Sequence, residues 1–310
     1  MSTMHAVRGH RRGGREQLMY EIAPRPVASA GEVLVAVRSA SITLGELGWD
    51  ATWTDSFDGS GSPRTPIIPS KEVSGVVAEL GQEVTDWAVG DEVYGLIPFT
   101  RDGAAAEFVA VPAAVLAAKP PRLDHDRAAA LPLAGLTAWQ GLVGHGGLRS
   151  GSRVLVHGGA GGVGSVAVQL AAALGASVTA TAAAGAADFV RELGAEQVVD
   201  YRTERFEEHV KDMDLVFDTV GGDTQDRSWQ VLRPGGLLVS IVAPPDPSKE
   251  GGVFFVVEPD RAGLDELSRL VEVGKLNPRV DRVVPLAETA RAYAALEDGH
   301  RRGKIVLRVS

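Results

Sequence analysis

The chain of 310 residues contains no cysteine. That excludes disulfides, thiolate nucleophiles and every zinc site built on sulfur. Aromatic residues make up only 5%, and no unbroken apolar run approaches the roughly 20 residues of a membrane-spanning helix. A basic surface is missing too. The formal net charge is −9, which disfavours nucleic acid and anionic membrane as partners. The opening MSTMHAVRGHRRGGREQ is basic in places but leads into no apolar segment. No signal peptide is expected, and the cytoplasm is the expected compartment. Histidines stand at 5, 10, 125, 145, 157, 209 and 300, scattered without ligand spacing. No metal site is expected, and no Ser-His-Asp arrangement can be argued from order alone. His157 follows an apolar run and reads as a satisfied residue near the core.

What is present is a hydrophobic content of 45% and enough length for two domains with filled cores. The organising stretch is RVLVHGGAGGVGSVAVQLAAALGA, from Arg153 to Ala176. Val154 to Val156 fits a strand buried on both faces. A run of small residues follows, from Gly158 to Gly164. An alanine-rich helix comes next, stopped by Gly175. Strand, glycine turn and helix together are the context of a dinucleotide site. The glycines let backbone N–H groups approach a diphosphate, and the helix N-terminus adds partial positive charge there.

The flanking sequence sorts into two patterns. From His5 to about Lys119, short alternating runs such as Glu32–Arg38 and Glu72–Leu80 are broken by Gly and Pro, which reads as a small β barrel or sandwich. Residues 50–69 are polar with Gly and Pro and read as a surface loop. Between Asp126 and Gly144 lie two apolar stretches, the first interrupted by Pro132. After the glycine turn, strands are expected at 177–181, 197–199, 214–218, 236–242 and 253–257, with a helix at 186–193. Strands alternating with helices give a doubly wound parallel sheet. Helices at 260–273 and 286–296 and a strand at 303–309 close the chain.

An NAD-selective site carries an acid about 20 residues beyond the glycine turn. None lies between Ala176 and Ala187, which favours NADPH. No Lys or Arg lies between Thr179 and Ala187 either, so Thr181, Tyr201 and Arg191 are the candidates for the 2′-phosphate.

Several motifs together resemble the zinc-independent quinone oxidoreductase branch of the medium-chain dehydrogenase/reductase superfamily. They are AALPLAGLTAWQGL at 129–142, VLVHGGAGGVGSVAVQLA at 154–171, DTVGG at 218–222, LRPGG at 232–236 and GKIVL at 303–307. The resemblance implies an α/β fold: a GroES-like β-rich catalytic domain (1–121 and 275–310), a Rossmann domain with a doubly wound parallel sheet (122–274), and an active site in the cleft. It places Ala160, Gly161, Gly162 and Val163 at the diphosphate, Thr137 near the nicotinamide and Tyr201 near the adenosine phosphate. Val220, Ile241 and Phe255 would line the nicotinamide pocket, and Lys304 would approach the coenzyme. A homodimer paired near Phe254–Val257 is also implied.

The chain departs from relatives in reading Ser70-Lys71-Glu72 where zinc-dependent members carry Gly-His-Glu. It also reads Ser41-Ile42-Thr43 where zinc-free members often carry an Asn. The expected activity is metal-free hydride transfer from NADPH to a quinone or an α,β-unsaturated carbonyl compound. Lys71 is the first candidate to polarise the carbonyl, its plain alternative being a surface ion pair with Glu72. Thr43 and Tyr94 are weaker candidates. Two other readings stand beside this one: a specialised enoyl reductase of natural-product biosynthesis, and a dinucleotide-binding protein without turnover.

Overall fold

The structure, a computed structural model, describes residues 2–299 and 301–309; His300 lies outside the described residues. The chain divides into two compact units. The first comprises residues 1–133, 259–268 and 280–310, and the second residues 134–258 and 269–279.

The first unit is β-rich. A seven-stranded sheet runs in the order Val280–Pro285, Lys304–Arg308, Glu32–Ile42, Glu72–Leu80, Glu92–Leu96 and Leu116–Ala118, with Phe108–Pro112 also pairing to Glu32–Ile42. A separate antiparallel ribbon joins Thr3–Gly9 to Leu18–Pro24. The alternation in Glu32–Arg38 suggests a strand with one wet face. Instead Val33, Leu34 and Val35 are all fully buried, so this stretch is covered on both faces.

The second unit is a six-stranded parallel sheet. Its order is Gln197–Asp200, Ser177–Ala182, Arg153–Val156, Met213–Asp218, Leu232–Ser240 and Gly252–Phe254. In chain order this is 3-2-1-4-5-6, the doubly wound arrangement whose ligands bind where the order reverses, at the carboxyl ends of neighbouring strands. That reversal falls between Arg153–Val156 and Met213–Asp218, so the glycine turn and the DTVGG turn sit side by side.

Several expectations need correction. The two packing units differ in bounds from the sequence-expected domains 1–121 and 275–310 and 122–274, the first unit taking in residues 122–133 and 259–268. Residues 122–133 join the first unit through their helix and through the Leu133 N–H, which donates to Glu72 Oε1 at 3.0 Å. Pro132 stands at the break between the helices His125–Ala129 and Pro132–Trp139 and begins the second, where its missing N–H costs nothing. Residues 50–69 are not all surface loop. Asp50–Trp53 forms a helical turn whose Ala51, Thr52 and Trp53 are buried, as are Ile67 and Ile68. The anchors are side-chain donors: Thr52 Oγ1 to the Glu46 carbonyl and Trp53 Nε1 to the Leu47 carbonyl, both 2.7 Å. The strand expected over 253–257 stops at Phe254, where its pairing partner, Leu232–Ser240, also ends. Among the described residues, no helix is long and apolar enough to cross a membrane.

Candidate functional site

In the second unit, the helix Gly162–Ala173 starts directly after the glycine turn. Its N-cap is Gly161, which has no side chain to bond the first-turn amides. The N–H groups of Gly162, Val163 and Gly164 therefore lack intrahelical acceptors and are available to an anion. Gly158 is in the left-handed region at φ +71°, and a Cβ there would come 2.8 Å from Thr219 Oγ1. A Cβ at Gly164 would come 2.1 Å from the carbonyl oxygen of Gly158. Glycine is required at both places, and the backbone presented fits a diphosphate.

The neighbouring strand end is organised by Asp218, which is fully buried. Its Oδ1 accepts the N–H groups of Val220 (2.9 Å) and Gly221 (3.0 Å), and its Oδ2 accepts Ser240 Oγ at 3.2 Å. Ser240 Oγ in turn accepts the Val242 N–H at 3.2 Å. This ties the ends of two adjacent strands together. Val220, 49% exposed, and half-buried Ile241 are thereby held at the mouth of the sheet. Thr137 is buried within its helix. Phe255 is also buried, its ring 4.5 Å from that of His145. The backbone that follows Phe255 is held by Gln140, whose side-chain amide donates to the Glu258 carbonyl (2.8 Å) and accepts its N–H (3.0 Å).

The three candidates for the 2′-phosphate separate. Thr181 turns inward, a correction: its hydroxyl is used by Gly158 N–H at 3.1 Å and by His157 Nδ1 at 3.2 Å. It holds the turn and is not presented to a ligand. Arg191 is paired to Asp188 at 2.8 Å. Tyr201 is exposed, and the Arg202 guanidinium lies 5.8 Å from its ring centre. The acid nearest that strand end, Asp200, has its carboxylate on the Arg202 N–H and the Thr203 hydroxyl, both at 3.1 Å. Arg202 was passed over although its neighbour Tyr201 was named, because a cation was sought only between Thr179 and Ala187.

In the first unit a polar cluster is buried among apolar strands. Lys304 forms an ion pair with Glu72, and its Nζ donates to Thr43 Oγ1 at 2.9 Å. The Thr43 hydroxyl donates in turn to Glu72 Oε2 at 3.4 Å. Lys304 is thus engaged within this unit, and Thr43 is the half-buried end of the cluster. Glu46 is completely enclosed. It accepts the Thr43 N–H (2.8 Å), the Tyr293 hydroxyl (2.7 Å) and the Ser70 N–H (3.1 Å). Burial raises the pKa of both Glu46 and Tyr293.

Lys71 corrects the leading expectation. It is 2% exposed and makes no surface pair with Glu72; its Nζ donates to the Arg101 carbonyl. Burial pulls its pKa down to about 8, Arg64 adds to the fall, and Glu46 and Asp102 oppose it. Tyr94 is also committed: its hydroxyl donates to the Leu264 carbonyl at 2.7 Å and meets Ser268 Oγ at 2.8 Å. It is a packing residue. The sequence reading missed Glu46, Glu72, Asp218 and Tyr293 as organisers. The visible signal was an acid at the end of an apolar strand, which needs a buried partner.

Among the described residues, no three His, Asp or Glu side chains gather as metal ligands would. On the other side of the first unit's polar cluster in sequence, Trp49 and Phe57 each stand edge-on to Phe99, with ring centres 5.2 and 6.2 Å away.

Comparison with known proteins is consistent across the chain. Residues 29–121 match the family described as alcohol dehydrogenase GroES-like domain, and residues 193–307 that described as zinc-binding dehydrogenase. The NAD(P)H oxidoreductase RTN4IP1, mitochondrial, of Danio rerio is 35% identical over 282 residues, covering 79% of this chain and 72% of that protein. The NADPH-dependent alkenal/one oxidoreductase, chloroplastic, of Arabidopsis thaliana is 38% identical over 261 residues, covering 81% and 66%. Among solved structures, the quinone oxidoreductase from Coxiella burnetii has a TM-score of 0.90 at 30% identity over the whole of both chains.

Two outcomes follow from the buried charges. Lys304→Met leaves the Glu72 carboxylate without its counter-charge and is expected to cost about 3–5 kcal/mol in urea unfolding. The double variant Glu72→Gln/Lys304→Met should recover most of that loss. For Lys71, the folded state binds fewer protons than the unfolded state between pH 8 and the ordinary lysine value of 10.5. Its contribution to stability therefore rises with pH across that window, and the full cost of burying the ammonium is felt below it. The unfolding free energy of wild type minus that of Lys71→Met should rise from pH 8 to 10. A difference independent of pH would refute the buried charge.

Proposed function

The chain belongs to the quinone oxidoreductase-like branch of the medium-chain dehydrogenase/reductase superfamily, and from that membership we propose that it is an NADPH-dependent reductase of α,β-unsaturated carbonyl compounds or quinones. The observation that carries the reading is the uncapped first turn at Gly162–Gly164, an anion site of backbone amides at the reversal point of a parallel sheet. When bound there, the coenzyme supplies a hydride. The amides hold its diphosphate, while Val220 and Ile241 offer an apolar surface that keeps water away.

Preference for NADPH is supported by the bare segment Ala182–Ala187, which offers no carboxylate to ribose hydroxyls. Tyr201 and Arg202, at the neighbouring strand end, supply an aromatic face and a cation for a phosphate. The two relatives, one named an NAD(P)H oxidoreductase and the other NADPH-dependent, point the same way.

The donor set does not fit zinc. The chain has no cysteine, Lys71 stands where the zinc-dependent pattern has histidine, and its Nζ is bound to a carbonyl. Without a metal, a substrate carbonyl needs a hydrogen-bond donor. We assign that role to the Thr43 hydroxyl, which accepts from Lys304 and would turn its proton from the long 3.4 Å bond to Glu72 Oε2 onto the substrate carbonyl. The aromatic group of Trp49, Phe57 and Phe99 suits an apolar substrate body. Two copies are further proposed to pair along the sheet edge after Gly252, where Phe254 and Val256 are exposed and Phe255 and Val257 are buried; an apolar edge of that kind needs cover.

The test is consumption of reduced coenzyme with cyclic enones and benzoquinones, NADPH against NADH. NADPH oxidation is expected with at least one acceptor class and is expected to exceed that with NADH. Arg202→Ala is expected to raise KM for NADPH about tenfold, as loss of one charge-assisted contact would. If calorimetry detects binding of neither coenzyme, the reading fails.

A further inference from the structure

The imidazole of His157 is fully buried and has no part in the chemistry proposed above, yet both of its ring nitrogens have partners. Following the protons through those partners fixes its state. Ser228 Oγ donates its one proton to the Thr224 carbonyl at 2.7 Å. It must therefore accept from His157 Nε2, 2.9 Å away. Nε2 carries the ring proton, which leaves Nδ1 as an acceptor. Nδ1 lies 3.2 Å from Thr181 Oγ1, and that oxygen already accepts the Gly158 N–H at 3.1 Å. The Thr181 hydroxyl proton then goes to Nδ1. In the opposite tautomer that proton would have no acceptor among the described residues, a loss a buried hydroxyl rarely bears.

The chain of bonds ends on the coenzyme turn. Residue 181 holds two successive amides of it: Gly158 through the side chain and Gly159 through the carbonyl, at 2.9 Å. Gly158 in turn accepts the Gly161 N–H at 2.9 Å, one residue before the uncapped helix. The Thr219 hydroxyl donates to the His157 carbonyl at 2.7 Å, fixing the same corner from the other side. We propose that His157, as the neutral Nε2–H tautomer, is a positioning residue for the coenzyme-binding turn and acts through the Thr181 hydroxyl.

The surroundings keep the ring in that state. Burial drives its pKa down to about 4; Arg227 pushes the same way, and Asp218 and Glu207 push against it. Both acids are engaged elsewhere, Asp218 by the Val220 and Gly221 amides and Glu207 by Arg205 and Arg227. The Phe206 ring stands edge-on with its centre 4.6 Å from that of the imidazole. A protonated Nδ1 would point a hydrogen at the Thr181 oxygen and free that hydroxyl from its present direction, loosening the hold on Gly158.

The role rests on the proposed coenzyme site, so the experiment separates the two. NADPH dissociation constants are measured by calorimetry for wild type, Thr181→Val and Thr181→Ser, and the ¹⁵N resonances of His157 are recorded in labelled wild-type protein. Thr181→Val is expected to bind about tenfold more weakly, the equivalent of about 1.4 kcal/mol for a lost buried bond. Thr181→Ser, which keeps the hydroxyl, is expected to restore binding. Nδ1 should resonate as the unprotonated nitrogen and Nε2 as the protonated one. Thr181→Val binding as tightly as wild type, Thr181→Ser binding as weakly as Thr181→Val, or a proton on Nδ1 would each overturn the role. Wild-type protein that binds neither NADPH nor NADH would overturn the proposed function as well. If Thr181→Val does not fold, the serine variant and the tautomer measurement still decide.

Discussion

Between Gly164 and the carbonyl oxygen of Gly158 there is room for a hydrogen and nothing larger. That close approach brings the start of an α-helix against the end of the central strand Arg153–Val156. Because Gly161 offers no side chain, the first-turn amides stay unpaired, and their orientation becomes the functional property of the unit. The rest of the sheet mouth serves that geometry. Asp218 and Ser240 tie the next two strand ends to their turns, and Thr181 fastens Gly158 and Gly159 to the strand on the other side. Each fastening uses a buried polar atom with its bonding capacity filled, so the turn is held by directional contacts and not by apolar packing alone.

The first unit solves a different problem. Its central strand Glu32–Ile42 is buried on both faces over Val33–Val35, so hydrophobic alternation cannot by itself specify register. The polar cluster supplies what is missing. Ser41 pairs with Glu72 and Ile42 with Ile305 across the two ladders. The Glu72–Lys304 ion pair and the Thr43 hydroxyl therefore join the ends of three neighbouring strands. A shift by one residue would turn these groups into the apolar core unpaired. Burying charge is costly for stability, and here it accompanies a strand whose pattern is otherwise ambiguous.

This contrast explains what the sequence disclosed. The second unit was legible almost strand by strand, because βα alternation, glycine stops and the glycine turn each have a local signature. Gly194, for example, ends a helix in the left-handed region at φ +112°, as a helix-stopping glycine should. Asp50–Trp53 was missed because its helical turn is held by tertiary bonds from Thr52 and Trp53, which composition does not reveal. The candidate site was legible in its backbone and obscure in its side chains. The glycines shape the turn between Arg153–Val156 and the helix Gly162–Ala173, as a strand–turn–helix motif requires. Thr181, Lys71 and Lys304 were chosen as donors, yet all three point inward to partners distant in sequence. A lysine in an apolar strand context is as readily a buried partner as an exposed donor, and only the fold brings its carbonyl or carboxylate into view.

Thr181 also changes how the coenzyme argument must be made. An acid at position 181 would face Gly158 and the neutral imidazole of His157, where it would favour the charged ring. The inward direction of that side chain means that its lack of charge says nothing about ribose recognition. The residues past the strand end are the ones that speak to it, since Ala183 is half-buried and Ala184 and Gly185 are exposed. No carboxylate lies among them to accept from ribose hydroxyls or to repel a phosphate, and the nearest acid on the adjoining strand end, Asp200, is turned onto its own loop. The preference for a phosphorylated ribose is therefore argued from Ala183–Gly185 together with Arg202, and the strand-end hydroxyl is left to hold the turn on which that ribose's diphosphate would rest.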